Sequence, residues 1–279
     1  MKRSSTARFL SSVTNYSQNL VPSGWAIQVC TAENASGPVL RIRVDIIAIF
    51  GDAYAMRYDG GKGVAYPHII NLMAPHLRYI ETHLGGGAVM RHKRPATVQI
   101  GLEIDRDVIC SYGHAFDALC EVVNADALEW LAQIDLDQDT LIYVDPPYHP
   151  STRRRSRVYK HDYTEQDHEK LLTLLCRLPA KVMISGYDCA LYKTMLRGWN
   201  QHCFMVQSHV GLRQESLWFN FPAPKQLHDD RYMGKSFRER EVIKRRQHRL
   251  KERLLNLSPP ERASIHSWLG QQLMQESAP

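Results

Sequence analysis

The sequence contains no C-x-x-C pair; its six cysteines (Cys30, Cys110, Cys120, Cys176, Cys189 and Cys203) are scattered along 279 residues. That scatter argues against a zinc site and against the disulfide framework of a secreted protein, and it predicts reduced thiols in a cytoplasm. Long apolar runs are missing too. The best, residues 44–50, is short and interrupted by Asp45, and Lys2 and Arg3 are followed by Ser, Thr and Asn instead of an apolar segment. Neither a membrane span nor an export signal is expected. No internal repeat is evident. His149, His161 and His168 fall close together, but without regular ligand spacing, so no metal is expected.

What is present is 44% hydrophobic residues, enough for one sizeable core, and a net charge of +6. The cations cluster at 153–160 and again at 235–253, which points to a polyanionic partner. Residues 1–38 are rich in Ser, Thr, Asn and Gly, and residues 39–50 alternate as a strand would. A helix is expected at 66–74 and a strand at Arg78–Glu81, followed by strands at Val98–Glu103, 120–123, 141–144, 181–185, 203–206 and 216–219. Helical patterns at 107–115, 126–133, 165–178 and 190–196 separate them. This rhythm implies an α/β fold with a doubly wound, mostly parallel sheet. Thr164 and Asp167 spell a capping box at the start of the 165–178 helix, and Pro179 marks its end. A charged helical run follows at Phe237–Leu255, with Pro259-Pro260 separating it from an amphipathic piece at 261–274.

Two stretches end strands in ways a core alone does not require. In LIYVDPPYHPSTRRRSRVYKHDY (141–163) an apolar run stops at Asp145-Pro146-Pro147-Tyr148. Proline cannot donate to a sheet ladder, so the pair makes a rigid ledge with a carboxylate on one side and an aromatic ring on the other. A carboxylate and the Pro146 carbonyl, both aimed at the two N–H bonds of an exocyclic base amine, localise its lone pair. Tyr148 offers a face for a flipped base. The second stretch, Glu81-Thr82-His83-Leu84-Gly85-Gly86-Gly87, brings backbone close to a ligand before a helix at Ala88. Glu103 ends the next strand about 20 residues beyond the glycines, where dinucleotide folds place an acid on a ribose. Asp105 is the competing acid or a helix cap. Asp126 ends the following strand, as an acceptor for an adenine amino group or as an N-cap.

In this order the pieces resemble the Dam-type DNA adenine-N6 methyltransferases. Tyr58-Asp59-Gly60-Gly61-Lys62 is similar to their first cofactor motif, residues 81–87 to their glycine loop, Glu103 to their ribose acid, and Asp145 to Tyr148 to their catalytic motif. Ser185-Gly186-Tyr187-Asp188 and Glu215-Ser216-Leu217-Trp218-Phe219-Asn220 resemble blocks of short phage-borne members. The resemblance covers roughly residues 58–221 and implies a Rossmann-like fold, S-adenosylmethionine as cofactor and double-stranded DNA as partner. By carry-over, Tyr58, Gly61, Lys62, Glu81, Gly85, Gly86, Gly87, Glu103 and Asp126 hold the cofactor, while Asp145, Pro146, Pro147 and Tyr148 act on the base. The chain departs from the pattern where Thr82-His83 replaces Pro-Phe. Only about 58 residues separate Gly87 from Asp145, which leaves no room for the target-recognition domain of longer relatives. Arg153, Arg154, Arg155, Arg157 and Lys160 are therefore expected on phosphates or guanines, with Tyr159 as a wedge. The competing expectations are an N4-cytosine methyltransferase and a catalytically silent DNA-binding homologue. The organisation expected is an arm at 1–55, dispensable or an over-extended reading of the gene, a catalytic domain at 56–225 and a basic helical tail at 226–279.

Overall fold

The computed structural model describes residues 62–153, 160–208 and 211–277. The chain divides into two units, Met1–Met56 and Arg57–Pro279, and every described residue lies in the second. The strand expected at 39–50 lies outside the described residues.

Elements follow in the order α1 (Tyr66–Ile70), β1 (Arg78–Glu81), α2 (Ala88–His92), β2 (Val98–Glu103), α3 (Arg106–Ser111), β3 (Glu121–Asn124), α4 (Ala127–Leu131) and β4 (Thr140–Val144). Then come α5 (Glu165–Leu175), β5 (Lys181–Gly186), α6 (Ala190–Met195), β6 (Asn200–Ser208), β7 (Gly211–Phe219), α7 (Phe237–Leu255) and α8 (Pro259–Ser277). The seven strands form one sheet in the order β3-β2-β1-β4-β5-β7-β6. β1 to β5 pair in parallel, and β7 runs antiparallel between β5 and β6. This is the Rossmann-like, doubly wound, mostly parallel sheet expected of the sequence.

The apolar run of β4 sits at its centre, every residue buried, because parallel neighbours and covering helices close both faces. Ile80, Ile100, Ile142 and Val182 lie across adjacent strands and pack with Leu171, Leu172 and Leu175 of α5 and with Trp218 of β7. Fully burying such a side chain stabilises by roughly 1.5–3 kcal/mol, so this layer fixes the strand register that the site depends on.

Several helices are shorter than the pattern implied. α1 stops at Ile70, and the Pro75 that follows Ala74 keeps that residue out of α geometry, so no helix could reach the expected end at 74. α3 stops at Ser111, and Gly113 takes φ +51°, the left-handed turn that ends helices. The capping box forms as expected, Thr164 Oγ1 accepting from Asp167 N and Asp167 Oδ2 accepting from Thr164 N. α5 nonetheless closes at Leu175, before Pro179. The break before Pro259-Pro260 separates α7 from α8 as expected, but the two prolines themselves open α8, since proline fits the first helical turn. No side chain of α7 is buried. Among the described residues no helix is long and apolar enough to cross a membrane.

Candidate active site

β1 leads outward to β2, while β4, its neighbour on the other side, leads toward β5, so the strand order reverses between β1 and β4. Ligands of such sheets sit outside the carboxyl ends at that reversal. A cleft opens there, and Lys62, Glu81, Gly85, Gly86, Gly87, Glu103, Asp126, Asp145, Pro146, Pro147, Tyr148 and Lys160 all line it. Residues spread over about a hundred positions of sequence thus meet at one surface.

At one end of the cleft, Gly85 and Gly87 turn the chain with φ of +46° and +59°. A Cβ on Gly87 would meet the Phe116 ring at 2.3 Å, so glycine is required there for space as well as for φ. The turn is tied down by Glu103, whose Oε2 accepts from Gly85 N at 3.0 Å while Oε1 accepts from Asp105 N at 3.0 Å. Tyr112 donates to Gly85 O at 2.7 Å from behind. Asp105 caps α3, accepting from Asp107 N. Asp126 caps α4, and both bonds, from Leu128 N at 2.8 Å and Glu129 N at 3.1 Å, fall on Oδ1.

At the other end three side chains, two from the proline ledge and one from β7, close on one ammonium. Lys62 Nζ lies 2.7 Å from Asp145 Oδ1 and 3.0 Å from Glu215 Oε1, and it donates to Tyr148 OH at 2.7 Å. Tyr148 OH in turn donates to Glu215 Oε1 at 3.1 Å. Lys62 and Glu215 are buried, whereas the Asp145 side chain keeps 16% of its surface, on the cleft side. Burial pushes the Asp145 carboxyl up to about 6, helped by the Glu215 charge, against the opposing pull of Lys62. Burial also pulls down on Lys62, but Asp145 and Glu215 outweigh it and raise the ammonium well above its ordinary range. Glu81, at the end of β1, is pushed up to about 8 by burial, opposed by its 3.0 Å hydrogen bond from Tyr79 OH and reinforced by the Asp145 charge. The Tyr148 and Tyr187 rings lie 4.4 Å apart, tilted by 53°, and the Arg213 guanidinium lies 4.1 Å from the centre of the Tyr187 ring.

Glu215 is the site residue that sequence reasoning left without a role. It stands just before β7 joins β5: residues 211–215 pair with β6 alone beyond the carboxyl end of β5, and Ser216, opposite Gly186, is the first β7 residue paired with β5. The available signal was a lone acid directly before the buried run 216–219. Lys62, assigned by resemblance to the cofactor, is placed on the Asp145 cluster. Thr82-His83 fills its position with a polar chain: Thr82 Oγ1 pairs with His83 Nδ1 at 2.8 Å, and His83 Nε2 pairs with Tyr163 OH at 3.2 Å. Burial lowers the imidazole to about 3, so a neutral ring faces the cleft.

The cations expected on DNA divide differently. Arg153 turns inward, its side chain 6% exposed, onto Asp162 Oδ1 at 2.6 Å and onto the carbonyl of Tyr148. It straps the segment after the proline ledge and does not present an open face to a phosphate. Lys160 is exposed but pairs with Asp105 and Asp107 at 3.0 and 2.8 Å. Tyr58, Gly61, Arg154, Arg155, Arg157 and Tyr159 lie outside the described residues.

The family model of the D12 class N6 adenine-specific DNA methyltransferases matches residues 103–208, so the resemblance read from the motifs holds over the segment from the end of β2 through β6. No curated protein matches the chain. Solved structures with a similar fold include the magnesium protoporphyrin IX methyltransferase ChlM of Synechocystis PCC 6803 with bound SAM, 13% identical over 53% of this chain and 71% of that one, with a TM-score of 0.37. TrmK of M. capricolum in complex with S-adenosyl-homocysteine is 7% identical over 74% and 93%, with a TM-score of 0.39. A SAM-dependent methyltransferase of Agrobacterium tumefaciens is 10% identical over 56% and 60%, with a TM-score of 0.37. The family match supports methyltransferase activity.

Proposed function

We propose that this chain is a DNA adenine-N6 methyltransferase that takes S-adenosylmethionine as methyl donor and acts on an adenine flipped out of duplex DNA in the cytoplasm. The observation that carries this reading is that Asp145-Pro146-Pro147-Tyr148 opens into the same cleft as the glycine turn and Glu103. The residues fit the cofactor. Glu103 ends β2 where a ribose hydroxyl pair is held in this fold class, Asp126 faces the adenine end, and the glycine turn leaves room for close approach. When bound, S-adenosylmethionine supplies an electrophilic methyl group on a sulfonium.

The chain's own part is to make a poor nucleophile competent. Asp145 and the Pro146 carbonyl accept the two N–H bonds of the target amine, which localises its lone pair toward the methyl carbon. On methylation the amine would become cationic, and Asp145 would take its surplus proton on the way to solvent. The preorganised acceptors are strongest where charge develops. At rest Lys62 holds Asp145 Oδ1 in the place an amine N–H takes, so the second carboxylate oxygen meets the substrate first.

The test is methyl transfer from labelled S-adenosylmethionine to duplex DNA, with nucleoside analysis. Expected is N6-methyladenine in the wild type and a loss of at least about 10²-fold in Asp145→Ala, with cofactor affinity retained. N4-methylcytosine as the product would overturn the assigned base. No product at all would favour the silent homologue.

A further inference from the structure

We infer that α7 is a phosphate-gripping helix for the DNA duplex. Its identification of the polyanion rests on the methyltransferase reading above. Between Phe237 and Leu255 the sequence places eight Lys and Arg against three Glu, a surplus of five cations, where the whole chain carries a net charge of +6. The remainder is thus close to neutral in sum, and α7 carries most of the chain's net positive charge.

The paired state of the cations separates this helix from the catalytic edge. Arg153 is tied to Asp162, and Lys160 to Asp105 and Asp107. Among the described residues no cation of α7 lies within ion-pair distance of a carboxylate, and the Glu239 carboxylate is taken up by Lys235 N at the cap. Eight unpaired cations on an exposed helix repel one another, a cost that a chain of phosphates removes.

Geometry narrows the surface further. At roughly 100° per residue, Arg238, Arg245, Arg249 and Arg253 fall within one sector of about 80°, on a strip about 22 Å long. All four are exposed. A duplex displays one phosphate charge per ~1.7 Å of axis, so a strip of this length runs alongside about a dozen phosphates. Arginine forks match phosphate oxygens in pairs, which suits a positioning contact that carries no sequence information. Such a grip supplies the affinity that an inserted recognition domain gives longer enzymes, and leaves base reading to the catalytic edge.

The test is duplex binding of the full chain as a function of salt, for the wild type and for a variant combining Arg238→Gln, Arg245→Gln, Arg249→Gln and Arg253→Gln. A second variant combines Arg240→Gln, Lys244→Gln and Lys251→Gln on the opposite side of the helix. Circular dichroism and the melting transition confirm that both fold; glutamine keeps the helix propensity high. The four-arginine variant is expected to bind roughly 10²-fold more weakly near 0.1 M salt and to lose about 3–4 from the slope of log K against log salt, while the second variant loses less than half as much. An unchanged slope overturns the proposal, and so does equal loss in both variants, which would mean diffuse attraction without a strip. Tighter binding of wild type to vesicles of anionic lipid than to duplex also overturns it. Methyl transfer with an unchanged slope removes the helix and keeps the enzyme; a lost slope in a protein that transfers no methyl group keeps the helix and removes the enzyme.

Discussion

The two ends of the cleft hold their carboxylates by different physics. Glu103 and Asp126 are fixed by backbone N–H groups of Gly85, Asp105, Leu128 and Glu129, donors that neither titrate nor move apart from the chain. Asp145 and Glu215 share one side-chain ammonium in a buried setting, with Tyr148 OH completing the ring of contacts. The first arrangement preserves a shape. The second stores charge that depends on pH and on a single lysine, and it can be re-paired when a substrate amine arrives.

Lys62→Met breaks that difference most severely. Removing the ammonium leaves two buried carboxylates facing each other, and losing one partner of a buried pair costs about 3–5 kcal/mol. Urea unfolding at pH 8 should show a loss of that order, together with loss of methyl transfer. Lowering the pH should narrow the gap, because each orphaned carboxylate can then protonate. A variant that unfolds at the wild-type midpoint at pH 8 would show that the lysine is dispensable to the knot.

pH itself sharpens the comparison at a somewhat smaller scale. Glu81 goes from an ordinary value of 4.5 to about 8 in the fold, so the native state binds its proton more tightly than the unfolded chain. Its stabilising contribution is complete below 4.5 and is lost as pH rises through about 8. Wild type compared with Glu81→Gln should therefore lose up to a few kcal/mol of stability between pH 5 and 9, read by thermal unfolding in matched buffers. For Asp145 the folded value of about 6 makes kcat/KM climb with pH up to about 6 and level off above. A flat profile from pH 5 to 7 would contradict an ionised Asp145 as the working form.

Glu103→Ala probes the backbone-fixed end. Its loss should weaken S-adenosylmethionine binding by about 1–3 kcal/mol, the effect of a missing charge-assisted hydrogen bond, with little pH dependence between 6 and 8. Calorimetry showing unchanged affinity would move the ribose contact to Asp105, which lines the same cleft.

Sequence reasoning reached the backbone-fixed end more fully than the ion-paired one, and the reason is range. The glycine turn, Glu103 and Asp126 lie within about 45 residues, each at the end of a strand whose apolar pattern is local. The core strands Arg78–Glu81 and Val98–Glu103 appear with the boundaries expected, because both are short apolar runs closed by an acid. The hairpin was legible only in part: 203–206 and 216–219 were recognisable, but β6 and β7 each run for nine residues. The half of β7 beyond β5, Gly211 to Gln214, carries only half-buried and exposed side chains, which leave no buried apolar run to mark a strand, and Glu215 at its inner end was left without a role. The pairing of Arg153 was hidden for a related reason, since a basic run gives no sign of which member will find an acid nine residues on.

The smallest expected effect settles what Asp126 does. In the fold it is an N-cap, with both cap bonds on Oδ1, and it also lines the cleft where an adenine amino group would need an acceptor. Asp126→Ser separates the two roles, because serine caps helices about as well as aspartate but its shorter side chain withdraws from the cleft. Stability should stay within a few tenths of a kcal/mol of wild type, as seen in the melting transition. If Asp126 also holds the cofactor, affinity should fall by about 0.5–1.5 kcal/mol, the net worth of one hydrogen bond, a change that titration calorimetry resolves. Unchanged affinity together with unchanged stability would reduce Asp126 to its cap and leave the adenine end to the neighbouring backbone.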